Sequence, residues 1–271
     1  MAKTKVVKEH FTSIHQMLSV VNSRPNNDVM RSRESSKETG RDWYGTENWE
    51  EAVDLFEHGY VDVLDKIKAG VAAGIKKTET IQKRRTSTGV VGYAAHVPNA
   101  IMGLPNSMIY TQATPQKIKA VSICYCITRN AGTNVQEFID SGVAVLNVVN
   151  RLELNGCRVN LKIMFYCATE NNREYAFGTV DVKDFREHLD LQKLCFPIAN
   201  PSMFRRFGFK WLETCKGLTN SGWAHGYGSQ LNSDNVVLQS YLQENEFYID
   251  LPYTKRFKYD AEKIIESMNI K

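Results

Sequence analysis

The sequence has little of what would name a chemistry or a partner. An excess of one charge is almost missing: 34 basic against 30 acidic side chains leave +4 over 271 residues, too small a bias to single out nucleic acid, a membrane surface or an acidic substrate. No apolar run approaches the roughly 20 residues that cross a bilayer. The charged start, Met1 to Lys8, runs into Glu9, His10, His15 and Gln16, which break any signal-peptide core. The expected setting is therefore the cytoplasm of the cell that makes the protein, with no membrane partner. A hydrophobic content of 42% excludes a disordered, collagenous or coiled-coil chain and leaves room for a sizeable core. At about 150 residues per domain the length suggests about two domains, or one with large additions.

Phosphate-cradling loops are also missing. No GxxxxGK[ST] occurs, no GxGxxG follows a strand, and Gly226-Tyr227-Gly228 lies in a long loop without strand-to-helix context. No GxSxG elbow is present, and no cysteine sits at a strand-to-helix turn where its thiol would ionise. The six cysteines (Cys124, Cys126, Cys157, Cys167, Cys195, Cys215) stand mostly in apolar runs and read as buried thiols. Cys124 and Cys126 share a strand face, yet no CxxC or HxxxH accompanies them to complete a zinc site. Neither cofactor nor metal is expected, and no catalytic residue is assigned, although His225 and His188 have the chemistry of a general acid or base.

What is present is an α/β pattern. Val7, Phe11, Ile14, Leu18 and Val21 recur at helical spacing, so residues 4–22 are expected to form an amphipathic helix, tethered by a polar linker from Ser23 to Arg41. Asn48 and Glu51 resemble a capping box before a helix that Gly59 ends, and a second helix carries Leu64, Ile67, Val71 and Ile75. From Thr86 to Pro115 the chain is rich in Gly, Pro and Asn. Tyr93, Val97, Ile101, Met102 and Leu104 there call for burial, which predicts an ordered irregular segment leading into the core.

The most legible stretch follows. Ala120 to Ile127 reads as a strand buried on both faces, Phe138 to Leu152 as a helix closed by Asn155-Gly156, and Val159 to Ala168 as a second strand. Together they form a βαβ unit of a parallel sheet. Tyr175 to Val182 adds a strand, Asp190 to Ala199 a helix, and Asn200-Pro201 opens another helix lined by Phe204, Phe207 and Trp211. Val236 to Leu242 and Phe247 to Leu251 read as strands, and Asp260 caps a last helix. The domain division expected is 1–41 for helix and linker, 42–85 for a helical extension and 86–271 for the α/β core.

Two basic clusters are phosphate-binding candidates: Lys76, Lys77, Lys83, Arg84 and Arg85 after a helix, and Arg205-Arg206. The octet Phe204 to Trp211 supports two readings, an aromatic core stripe with a basic solvent face or a phosphate-contacting helix. Strand ends of an open α/β sheet are where ligands sit, which makes Thr128, Arg129, Asn130, Thr133 and Asn134 candidate partner contacts, with His225 beside them.

The βαβ unit with its preceding apolar strand resembles the opening of a von Willebrand factor A-like domain. In that family Asp-x-Ser-x-Ser after the first strand holds a divalent ion that grips a partner's carboxylate. The matching run here, Cys124 to Thr128 or Cys126 to Asn130, lacks the Asp and contains or abuts Arg129, so the resemblance implies a degenerate metal site. A wider set is similar to uncharacterised proteins of bacteriophages and mobile elements: Trp43-Tyr44-Gly45-Thr46, Val97-Pro98, Gly103 to Met108, and Asn200 to Arg206. The fold expected is α/β with a von Willebrand factor A-like or Rossmann-like, mostly parallel sheet and added N-terminal helices. The function expected is a non-catalytic phage interaction or assembly protein that binds a phage or host protein. Alternatives are a nucleic-acid-associated protein or an enzyme with an unfamiliar site; virion association and homo-oligomerisation stay open.

Overall fold

A computed structural model describes residues 4–61, 63–65, 67–68, 84–113, 119–169, 172–228, 235–242 and 245–269. The chain divides into a main unit, residues 1–76 and 120–271, and a small unit, residues 77–119.

The main unit is built on a five-stranded, mostly parallel sheet. Its interior strand β5 (Lys119–Cys126) alternates between two packed faces: Val121, Ile123 and Tyr125 join the larger core, Cys124 and Cys126 a smaller one with Met164, Tyr166 and Phe177. Burial on both sides explains why β5 reads as an unbroken apolar run. Asn134 then caps helix α5 (Val135–Leu154), its side chain accepting from the Glu137 amide at 2.9 Å. Gly156, at φ +82°, turns the chain back into β6 (Cys157–Ala168). Strand β7 (Glu174–Lys183) pairs antiparallel with β6, and the short β8 (Glu246–Ile249) pairs parallel with β5.

The N-terminal segment differs from expectation. Residues 4–22 divide into β1 (Lys5–Phe11), which pairs parallel with β7, and α1 (Ile14–Ser23). The strand order is thus β1-β7-β6-β5-β8. The divide is chemical: Ser13 caps α1 by accepting from the Gln16 amide at 3.1 Å, and Gln16 Oε1 accepts from the Thr12 amide at 2.7 Å. That reciprocal arrangement stops a helix from running backward through residues 5–11. The spacing of four between Val7 and Phe11 fits both periods, and the caps decide between them.

The polar stretch from Ser23 to Arg41, expected to be a solvated linker, is docked. Met30 is fully buried, the Asn27 amide side chain donates to the carbonyls of Leu212 and Cys215, and the Ser35 amide donates to Glu213 Oε1. Its few apolar groups are enough because side-chain and backbone hydrogen bonds fix the rest. Two short helices follow, α2 (Arg41–Tyr44) and α3 (Trp49–His58), the latter capped by Asn48 and ended at Gly59.

On the C-terminal side, α6 (Leu191–Ala199) leads into a π-helical stretch, Met203–Gly208, and α7 (Phe209–Thr214). The run Val236–Gln239, expected as part of a strand, is a short helix, α8, whose first amides are held by Asn235. Helices α9 (Leu251–Arg256) and α10 (Ala261–Ser267) complete the unit, capped by Asp250 and Asp260.

The small unit holds a three-stranded antiparallel sheet of β2 (Arg84–Gly89), β3 (Ala94–Ala95) and β4 (Met108–Ala113), in the order β2-β4-β3, with a one-turn helix at Val97–Ile101. Its apolar residues overturn the expectation of burial. Val91 is 82% and Ile101 80% exposed, and Val90, Tyr93, Val97, Met102 and Leu104 are exposed with them.

Candidate functional site

The carboxyl ends of β5 and β6 bring together two groups of residues far apart in sequence: the loop after β5 and the pair Arg205-Arg206. Arg205 and Arg206 are 1% and 0% exposed, so the basic solvent face expected of this helix is absent. The π-helical backbone carries both guanidinium groups inward. Arg205 donates to the carbonyls of Trp43, Asn130 and Thr133, and lies 4.3 Å from the centroid of the Trp43 ring. Arg206 donates to Thr46 Oγ1 at 2.8 Å and to the carbonyls of Thr46 and Glu38, stacked over Tyr44. Five donors in a planar fork make arginine suited to collecting carbonyls in this way. The pair ties residues 38–46 to the body of the fold, which leaves neither guanidinium facing outward to a polyanion.

The loop after β5 is likewise mostly inward. Thr128 accepts from the Tyr166 amide at 2.8 Å and so fastens the loop to β6. Arg129 is buried; its Nη1 donates to the carbonyls of Cys126 and Thr128, and its Nη2 to Tyr125 Oη and Ser141 Oγ. Its Nε has no hydrogen-bond partner among the described residues. Thr133 is buried, Asn134 caps α5, and Asn130 is exposed with Ala131 beside it. Arg129 and Arg205 converge on Phe138, at 5.4 and 4.8 Å from its ring centroid. No carboxylate of a described residue lies within salt-bridge distance of either. Burial, reinforced by the Arg129 charge, brings the Arg205 guanidinium down to about 10, so it remains a cation at neutral pH.

A cavity of about 390 Å³ opens here, lined by Trp43, the loop 128–131, Cys167, Phe204, Phe209 and Gly226-Tyr227-Gly228. Tyr227 stacks on Phe209 at 3.7 Å with near-parallel rings and donates its hydroxyl to the buried Glu213 at 2.7 Å. Gly228, at φ +77°, lets the loop approach β6: a Cβ there would stand 2.6 Å from the Ala168 carbonyl oxygen. Burial pushes the Cys167 thiol far up, so it is protonated and unreactive.

The other expected residues fall elsewhere. Arg84 and Arg85 lend backbone to β2, and His225 ends a short 3-10 helix, Ser221–His225; their side chains, with Lys76, Lys77 and Lys83, lie outside the described residues. Among the described residues no group of three or more His, Cys, Asp or Glu side chains is placed to hold a metal ion. No described helix is long and apolar enough to cross a membrane.

Residues 1–270 match a family model described as a domain of unknown function, DUF7192. The chain belongs to this family. No curated protein and no solved structure matches it. In this DUF7192 chain the aromatic lining escaped sequence reasoning because its members, Trp43, Phe204 with Phe209, and Tyr227, come from three segments. Trp43 stood in a conspicuous motif, and Tyr227 in a glycine pair set aside for lacking helix context; only tertiary structure joins them.

Proposed function

We propose that the protein is a non-catalytic, phage-encoded interaction or assembly protein, and that the small unit carries its protein-binding surface. The observation that carries this reading is the uncovered apolar set on residues 90–104, with Val91 and Ile101 four-fifths exposed. Water contact with such a cluster is unfavourable by about 25 cal/mol per Å² of apolar surface, a cost that a protein partner removes.

The body of the fold supports the same reading. Strand order β7-β6-β5-β8, with β7 antiparallel to β6, agrees with a von Willebrand factor A-like core. In the run Cys126 to Asn130, the position where that family holds a divalent ion is served by no carboxylate, and the Arg129 cation lies within it, bonded to the Cys126 and Thr128 carbonyls. A hard divalent ion needs anionic oxygen donors, so these residues do not fit one. Partner contact then falls to apolar surface rather than to a metal-held carboxylate.

The test is a paired substitution, Val91→Asp with Ile101→Asp, in the full-length protein expressed in its own host and purified by affinity, with mass spectrometry of what accompanies it. The expected result is a defined protein partner with the native chain, lost from the double variant while the melting temperature is unchanged. Retention of the same partner by the double variant, or recovery of salt-sensitive nucleic acid in place of protein, would overturn the reading.

A further inference from the structure

The proposed interaction surface lies on a unit whose charge is unlike that of the rest of the chain. Residues 77–119 hold six basic side chains, Lys77, Lys83, Arg84, Arg85, Lys117 and Lys119, against the single acid Glu79. The unit therefore carries +5, and the remaining residues of this +4 chain sum to −1. Arg84 and Arg85 open β2, and the exposed apolar set on residues 90–104 follows that strand directly in sequence. A partner that covers this set has to supply apolar surface and negative charge together. Two small units facing one another do not, because their like charges repel.

The main unit carries a surface of the required kind. A groove of about 740 Å³ is formed by the turn from β1 into α1, the end of α3, the segment after β7 and the first turns of α6. Its floor is apolar, made of the buried Ile14, Val182 and Pro197 with the half-buried Phe56 alongside. Its sides hold the carboxylates of Glu57, Asp181, Asp184, Glu187 and Asp190 against the ammonium groups of Lys183 and Lys193. Lys183 is buried and paired with Glu153 from outside the groove, and Lys193 lies 3.7 Å from Glu187. His10 lies 3.3 Å from Asp181, and His15 and His58 line the groove; with all three neutral, the groove keeps an excess of negative charge. Glu57, Asp184, Glu187 and Asp190 are exposed, which places this charge where an incoming surface meets it.

Resting on the reading of the small unit as a protein-binding surface, we infer that its partner is a second copy of this chain: the apolar set on residues 90–104 of one copy seats in the acidic groove of the next. The contact buries apolar surface on both sides and sets the basic unit among the rim carboxylates. It is head-to-tail, so each added copy brings a fresh groove and a fresh small unit, and association continues into rings or filaments.

Sedimentation velocity on the full-length protein, at about pH 8 where imidazole is ordinarily neutral, tests it. The native protein is expected to grow from monomer to larger species between micromolar and hundreds of micromolar concentration. Association is expected to weaken about tenfold or more from about 50 mM to about 500 mM salt, since screening acts on exposed charge pairs. Glu57→Lys with Glu187→Lys reverses charge at the groove, and Val91→Asp with Ile101→Asp spoils the small unit. Each double variant is expected to stay monomeric with an unchanged melting temperature. Mixed in equal amounts, the two are expected to form a dimer of one of each and nothing larger, because one supplies the intact small unit and the other the intact groove. A native protein that is monomeric at every concentration, self-association left intact in either double variant, or a mixture of the folded variants that stays monomeric would each overturn the inference. A monomeric native protein leaves the protein-binding reading standing, because that reading falls on its own test, retention of a captured partner by the Val91→Asp, Ile101→Asp variant or recovery of nucleic acid in its place.

Discussion

Glu174 shows how a single buried carboxylate organises a loop, residues 219–223. It stands at the start of β7, almost fully buried, and accepts from the amides of Thr219 and Asn220, from Thr219 Oγ1 and from Trp223 Nε1, with the Lys5 ammonium 3.4 Å away. Burial by itself raises its pKa, but the Asn220, Trp223 and Thr219 donors outweigh it and hold the carboxyl below its ordinary value. A depressed carboxylate contributes stability that is present above the unfolded value of about 4.3 and is lost as pH falls through the folded one. Glu174→Gln is therefore expected to cost about 1–3 kcal/mol at pH 7, the penalty of buried donors left poorly matched. Its urea midpoint is also expected to fall less than that of the native protein between pH 5 and pH 3. An unchanged midpoint at pH 7 would show that the donors find other partners. None of this was legible in the sequence, where Glu174 is one acid among 30 acidic residues. Arg205 and Arg206 were conspicuous there, but their direction depends on a π-helical backbone that residue pattern does not encode.

At the scale of elements, local signals were read well where caps and burial on both faces agreed, and poorly where two periods fitted the same residues. The unit β5-α5-β6 was legible because β5 is largely apolar, β6 keeps Val159, Leu161, Ile163 and Phe165 on one face, and its helix is bracketed by Asn134 and Gly156. Residues 4–22 were not, since Val7 and Phe11, four apart, satisfy both periods, and the Ser13–Gln16 capping box that separates β1 from α1 was passed over. One position in α5 makes a sharp test of packing against propensity. Gly142 is buried at the crossing with α6, and a Cβ there would lie 2.6 Å from the Ile198 carbonyl oxygen and 2.7 Å from Ala199 Cα. Both are backbone atoms, which cannot rotate away. Alanine is the better helix former by about 1 kcal/mol, while forcing an extra carbon into a close-packed crossing costs about 1–3 kcal/mol. Gly142→Ala is expected to lower the free energy of unfolding measured in urea. A more stable variant would mean that α6 can slide outward at little cost.

For the whole molecule, the two units differ in what holds them. The main unit has sheet faces packed on both sides and a core that runs from Phe11 to Met268. The small unit, residues 77–119, contributes no described residue to the buried core. A chain segment of this size, near the limit of about 40 residues below which domains rarely hold together unaided, is held among its described residues by the β2-β4-β3 pairing and by side-chain bonds such as that from Asn99 Nδ2 to the Asn106 carbonyl. Its apolar residues, read from composition as core, are exposed, so the burial expected of them is not what the structure shows; under the proposed function a protein partner would cover them. Native-state hydrogen exchange measures the consequence. Amides in β2 and β4 are expected to exchange through local opening, far faster than those of β5, β6 and β7, which exchange only with global unfolding. If a protein partner binds this unit as proposed, protection is expected to rise across residues 84–113 by the factor set by its concentration over its dissociation constant, while β5 to β7 change only to the extent that the whole fold is stabilised. Slow exchange in β2 and β4 of the isolated protein, matching that of β6, would show that the small unit is held by forces other than a missing partner, and the apolar set on residues 90–104 would then need another explanation.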